Sequence, residues 1–238
     1  FFDSEDPDNW FSQNLSFLND FNLVGGWAES DASASVTIGE SVSIVASGQL
    51  EVSTYAKTTA DVTTVSIAVG MGYARSVPQA TLNVGDLTSL AAGGSIVLAS
   101  DAFSELDVQV SDALGVVAGS VIVAVGHSEG ITSTVTVGNN VDMDAVEDVV
   151  MSSTLVRDHN VFAKAASLKG GQLGIGAAFL ITPDVTVGTS IGTSTTVARI
   201  EAGGDVRVVS GAETIKNSVT ATAQVGEDFI DRAKNKLK

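Results

Sequence analysis

The feature that most constrains this chain is a short valine-rich strand that comes round four times. It reads VSIVA at Val42 to Ala46, IVLAS at Ile96 to Ser100, VVMSS at Val149 to Ser153 and VRVVS at Val206 to Ser210. Gly39, Gly93 and Gly203 stand three positions upstream of three copies, and Val146 takes that place in the other. The starts are nearly evenly spaced, and so regular a recurrence indicates stacked units. None of these units can bury its apolar face alone.

Between the copies, from about Ala28 to Val225, apolar residues alternate with polar ones. Val36/Ile38, Leu82/Val84, Val135/Val137, Val185/Val187 and Val219/Ala221 are examples, with turns at Gly, Asn, Asp and Ser. Period two places successive side chains on opposite faces of a strand. Each repeat also holds a smooth segment: Val65 to Tyr73, Val121 to Ser128 and Leu173 to Ile181. In these segments a large set (Val65, Ile67, Val69, Met71; Val121, Val123, Val125; Leu173, Ile175, Phe179) alternates with a small one. The small set is Ala68, Gly70, Gly72; Ala124, Gly126; Gly174, Gly176, Ala178. The expected arrangement puts the large set in the core and the small set outside, as an uncharged strip. Such a strip is seldom left bare, so Gly70, Gly126 and Gly176 are expected at an assembly interface.

The two ends read differently. Residues 1–27 hold five of the nine Phe and both Trp. Asp8 is a helix N-cap, and Trp10, Phe11, Leu15, Phe17, Leu18 and Phe21 follow at helical spacing. This predicts a helix over about residues 9–22, ended by Gly25-Gly26. Residues 226–238 predict a second amphipathic helix. Its acids Glu227, Asp228 and Asp231 precede Lys234, Lys236 and Lys238, the order that suits the helix dipole, and Phe229, Ile230 and Leu237 share its apolar face. The predicted organisation is an aromatic assembly or capping segment (1–27), a β-helix (28–225) and a C-terminal helix (226–238).

A repeat of about 54 residues divides into three turns of about 18, the coil length of many parallel β-helices. That gives about ten coils and a rod about 50 Å long. The competing fold is an antiparallel β-sandwich, because strand signals recur every 8–12 residues. The long period and the small residues favour the solenoid.

Composition narrows the function. The net charge of −16 opposes binding to nucleic acid or insertion at an anionic membrane. With no cysteine there is neither disulfide nor thiolate metal site. The most apolar run, Ala113 to Val125, is too short to span a bilayer as a helix. No Lys or Arg precedes Lys57, although nine acids do, whereas residues 226–238 carry four bases and three acids. Unlike ends predict heterologous, head-to-tail self-association.

The unit AGG-[SD]-[IV]-x-[VL]-x-S, carried by Ala92 to Ser100 and Ala202 to Ser210, recurs with smooth strands at Ile67 to Gly70 and Ala124 to Gly126 and with TVTVG at Thr134 to Gly138. This pattern resembles the β-helical repeats of large secreted bacterial adhesins, of filamentous-haemagglutinin-like and leukotoxin type. The resemblance covers most of residues 30–225. It implies a right-handed parallel β-helix, export to the extracellular space or the bacterial surface, and an adhesive or matrix role in which glycans are the contacts.

Candidate chemical sites are few. His127 and His159 are far apart in the chain, without HxH or HxxxH spacing, and read as surface or turn residues. Asp142, Asp144, Glu147 and Asp148 form an acidic cluster, the one calcium candidate; the competing reading is a solvated turn. No GxSxG elbow or GxGxxG fingerprint occurs in a suitable context. The residues therefore point to a non-enzymatic, secreted structural or adhesive protein without cofactor. The alternative is a polysaccharide-active or toxin-like β-helix module.

Overall fold

The computed structural model describes residues 23–66, 69–112, 120–165, 174–192 and 198–223. Among these are fourteen strands and no helix. Both predicted helices, with Trp10, Phe11, Phe17, Leu18, Phe21, Phe229, Ile230 and Leu237, lie outside the described residues.

The chain winds through three parallel sheets in turn, and each circuit is one coil. Coil 1 comprises β1 (Leu23–Ile38), β2 (Ser43–Ala46) and β3 (Leu50–Ser66). Coil 2 comprises β4 (Val69–Val84), β5 (Ser89–Ala92) and β6 (Ile96–Asp112). Coil 3 has β7 (Val121–His127), β8 (Ile131–Val137), β9 (Asp142–Ala145) and β10 (Val149–Ala165). Coil 4 has β11 (Ile175–Ile181), β12 (Val185–Ile191), β13 (Arg199–Ala202) and β14 (Val206–Ala223). Sheet A stacks β1 on β4, β4 on the pair β7/β8, and that pair on β11/β12. Sheet B stacks the four-residue strands β2, β5, β9 and β13, and sheet C the long strands β3, β6, β10 and β14. Every pairing is parallel, so the fold is the expected parallel β-solenoid and not a sandwich.

The size of the coil corrects the sequence reading. In sheet C, Leu50 pairs with Ile96, Ile96 with Val149, and Val149 with Val206. Partners that share a column there, such as Thr59 and Glu105, Asp107 and Asn160, and Ser153 and Ser210, are 46, 53 and 57 residues apart. The whole repeat is therefore a single coil, and the described residues form four coils, not ten. Period-two patterning runs unbroken through the 17 residues of β3, where the sequence suggests shorter strands. The repeat is also offset by one element at its start. The first valine-rich copy belongs to sheet B, as β2, and the coil-1 counterpart of Ile96 is Leu50. A 17-residue strand is about 56 Å long, whereas four coils span only about 14 Å from first strand to last. The unit is a slab wider than it is tall.

The core follows from alternation. Sheet B and the adjoining halves of sheets A and C enclose Leu82, Leu90, Leu98, Val135, Met143 and Met151. At the other end sheets A and C close directly on each other around Val62, Leu106, Val108, Ile122 and Val161. There the expected faces are reversed. Gly70, Gly72, Ala124 and Gly126 point inward and are buried, while Val121, Ile175 and Phe179 are exposed. The reason is steric. A Cβ on Gly72 would lie 2.5 Å from Val110 Cγ2 and 3.0 Å from Val108 Cγ1, and one on Gly126 2.6 Å from Leu106 Cδ2. Branched side chains on sheet C fill the gap, so at Gly70, Gly72, Ala124 and Gly126 sheet A presents at most a methyl, and Ile122 is the larger side chain it buries there. The sequence segment Val65 to Tyr73 is also not one strand: β3 ends at Ser66 and β4 starts at Val69.

Candidate functional site

Three places gather chemistry: a polar row inside the solenoid, a charged and aromatic row outside it, and the two ends.

The inner row lies where sheets A and C meet. Thr58 Oγ1 and Ser76 Oγ are 2.6 Å apart, Ser76 Oγ and Ser104 Oγ 2.7 Å, and Ser104 Oγ and His159 Nε2 2.9 Å. Ser128 Oγ donates to the Ser76 carbonyl (3.1 Å). His159 is 1% exposed and sits in mid-strand of β10, not in a turn as its RDHN context suggests. Burial, reinforced by Arg157 against a weaker opposing pull from Asp158, pushes its pKa down to about 4. The ring is therefore neutral near pH 7. The Ser104–His159 contact has two elements of an activated serine, but both residues are sealed in the core, where no substrate reaches them. The row satisfies buried hydroxyls and fixes how the two sheets meet. Alternation carried from Leu155 to Val161 places His159 inward; the turn-like residues around it obscure that signal.

The outer row crosses coils 1 to 3 on sheet A. Trp27 stacks on Tyr73 with ring centroids 4.3 Å apart. Tyr73 Oη and His127 Nδ1 are 2.9 Å apart, and His127 Nε2 lies 3.2 Å from Glu129. Arg75 donates to both carboxylate oxygens of Asp31 at 3.0 Å and reaches Glu129 at 3.4 Å. Burial pushes the His127 pKa below the ordinary range, Glu129 opposing and Arg75 adding to it, and burial lifts the Tyr73 phenol to about 12. His127 thus faces outward from sheet A and His159 inward from sheet C, and the structure does not join them in one site. Sequence reasoning misses this row because its members come from successive coils and are brought together only by the coil register.

The acidic cluster is dispersed. Asp142 and Asp144 flank buried Met143 on the outer face of β9, as their spacing predicts. Asp142 accepts from Arg199 (3.0 Å), Glu147 from the Ser95 hydroxyl (3.1 Å) and Asp148 from the Asp205 amide (2.8 Å). Among the described residues no group of three or more His, Cys, Asp or Glu is placed to hold a metal.

The ends are unlike. In coil 1, β1 and β3 close on small side chains; a Cβ on Gly26 would run into Thr64 and Val62. Coil 4 is open. Val206 and Val208, which stand in the inward columns of buried Val149 and Met151, are 49% and 48% exposed. Val219, over buried Val161, is likewise exposed. Each end coil pairs through one edge only, which leaves the other row of backbone groups without a strand among the described residues. Of the small residues expected at an assembly surface, Gly70 and Gly126 are interior and Gly176 is half-buried, so they do not form one. Exposed large apolar side chains occur on every coil, but they are most numerous on coil 4, where Ile175, Phe179, Val206, Val208, Val209 and Val219 are among them.

No family model, curated protein or solved structure matches the chain.

Proposed function

We propose that this protein is a secreted, non-enzymatic structural or adhesive solenoid of a bacterial surface or matrix, assembling with copies of itself into a filament. The observation that carries this reading is the open fourth coil. Among the described residues, interior-facing valines and a full set of unpaired strand edges lie exposed together, and soluble proteins rarely leave either bare. The acidic surface fits an extracellular role without nucleic acid or membrane insertion. The adhesin-like repeats support export and a glycan target, for which the Trp27–Tyr73 stack beside Asp31 and Arg75 is a suitable platform. The calcium reading of the acidic cluster is not needed.

Sedimentation velocity over a concentration series, with negative-stain imaging, tests the reading. Growing species and linear particles are expected. A protein that stays monomeric at the highest soluble concentration overturns it.

A further inference from the structure

We infer that the partner of the open end is a second copy of this chain, whose coil 1 stacks on coil 4 in the same column register that the coils keep within one molecule. This rests on the self-assembly reading above and specifies its joint.

The two end coils are congruent. Strand β14 has 18 residues and β3 has 17; β13 and β2 have four each. Strand β1 has 16 residues and would face β11 and β12, of seven each. That mismatch is already solved inside the molecule, where the 16-residue β4 pairs with the seven-residue β7 and β8. The direction is also right, since every pairing is parallel and continuing the stack keeps it so. Strand addition of this kind supplies backbone hydrogen bonds along the whole edge.

The columns then decide which side chains meet. In sheet C, Arg207 stacks on Val150, Val97 and Glu51, and Glu213 on Val156, Phe103 and Lys57. Extending the register by one coil places Arg207 of one copy on Glu51 of the next, and Glu213 on Lys57. These are the charged pairs that fall in shared columns among the described strands of the end coils, and both are of opposite sign. In sheet A the column Trp27, Tyr73, Val125, Phe179 continues with Phe179 beneath the next copy's Trp27, two rings that are 53% and 45% exposed in the single molecule. Inward columns match apolar with apolar: Val208 meets Val52 and Ile200 meets Ile44. A slip of two residues along the strand would keep the faces but lose both charge pairs.

The test uses the full chain. Charge reversal at either side, Glu51→Arg or Arg207→Glu, sets like charges against each other across the joint. Each variant alone should raise the concentration needed for assembly about three- to tenfold at low salt, an effect that fades at high salt. Mixing the two variants restores both pairings and should return the wild-type value as an alternating stack. Independently, Ser53→Cys with Val209→Cys places thiols in one outward column of a chain that has no cysteine of its own. Neighbouring strands hold Cα atoms about 4.8 Å apart, within disulfide reach. Oxidation should give a ladder of covalent oligomers, and Ser53→Cys with Gly211→Cys, which is out of register, should not. If wild type assembles but the mixture gives no rescue, or the shifted cysteines cross-link as well as the aligned pair, the register is wrong while self-assembly stands. If wild type does not assemble, the functional reading itself fails.

Discussion

Replacing His159 with Gln isolates one buried titration from the many carboxylates of an acidic protein. The neutral ring is held by Ser104 at 2.9 Å in a core that excludes water. A doubly protonated ring donates from both nitrogens and brings an unpaired charge inside. Its pKa is about 4 in the folded protein, below the ordinary histidine value of 6.5. The unfolded chain therefore binds this proton more readily than the folded one. Stability from this group is fully present above pH 6.5, falls as pH drops from 6.5 towards 4, and is gone below 4. The difference corresponds to about 3 kcal/mol. Gln keeps a side chain that can bond Ser104 but cannot charge. Urea unfolding of wild type and His159→Gln should be compared at pH 7.5, 5.5 and 4.2. Wild type should lose about 2 to 3 kcal/mol more than the variant over that range. Parallel pH dependences would refute the reasoning and mean that His159 is not held neutral by burial.

Two further outcomes follow from packing and from the turns. Gly126→Val inserts an isopropyl group where Leu106 and Val161 already sit within 2.7 Å of its Cβ, and should cost at least about 1 to 3 kcal/mol, read as a lowered denaturation midpoint. Asp86→Ala removes the acceptor of the Asn139 amide (2.7 Å) at the turn joining sheets A and B, and should cost about 1 to 2 kcal/mol by the same measurement; an unchanged midpoint would mean water replaces it without loss.

Much of the fold was legible because alternation is a local signal. Runs such as Leu50 to Ser66 show their two faces in the residues themselves, and the recurring valine-rich strand announces a stack. Coil size was not legible, because Gly and Asn between apolar runs look alike whether they end a strand or flank it. The orientation of the smooth segments was hidden for a related reason. Small residues on one face signal either an exposed strip or close approach of a second sheet, and the deciding partners, Leu106, Val110 and Val161, lie elsewhere in the sequence. The outer row of Trp27, Tyr73, Arg75 and His127 needed the coil register, and so did the columns at the ends.

The long step from each strand to its neighbour in the stack also governs how the chain can fold. Contacts separated by about 50 residues in a chain of 238 give a relative contact order of about 0.2, at the slow end for small proteins. Among the described residues no strand forms a hairpin with its successor, so the first ladder must be closed across a long, floppy loop before any pairing rewards it. Once two coils have met, each later one lies down on an edge already in place. Nucleation is therefore the slow event and winding the fast one. A finished end presents the same template to a chain still unfolded, so refolding should show a lag that preformed protein shortens.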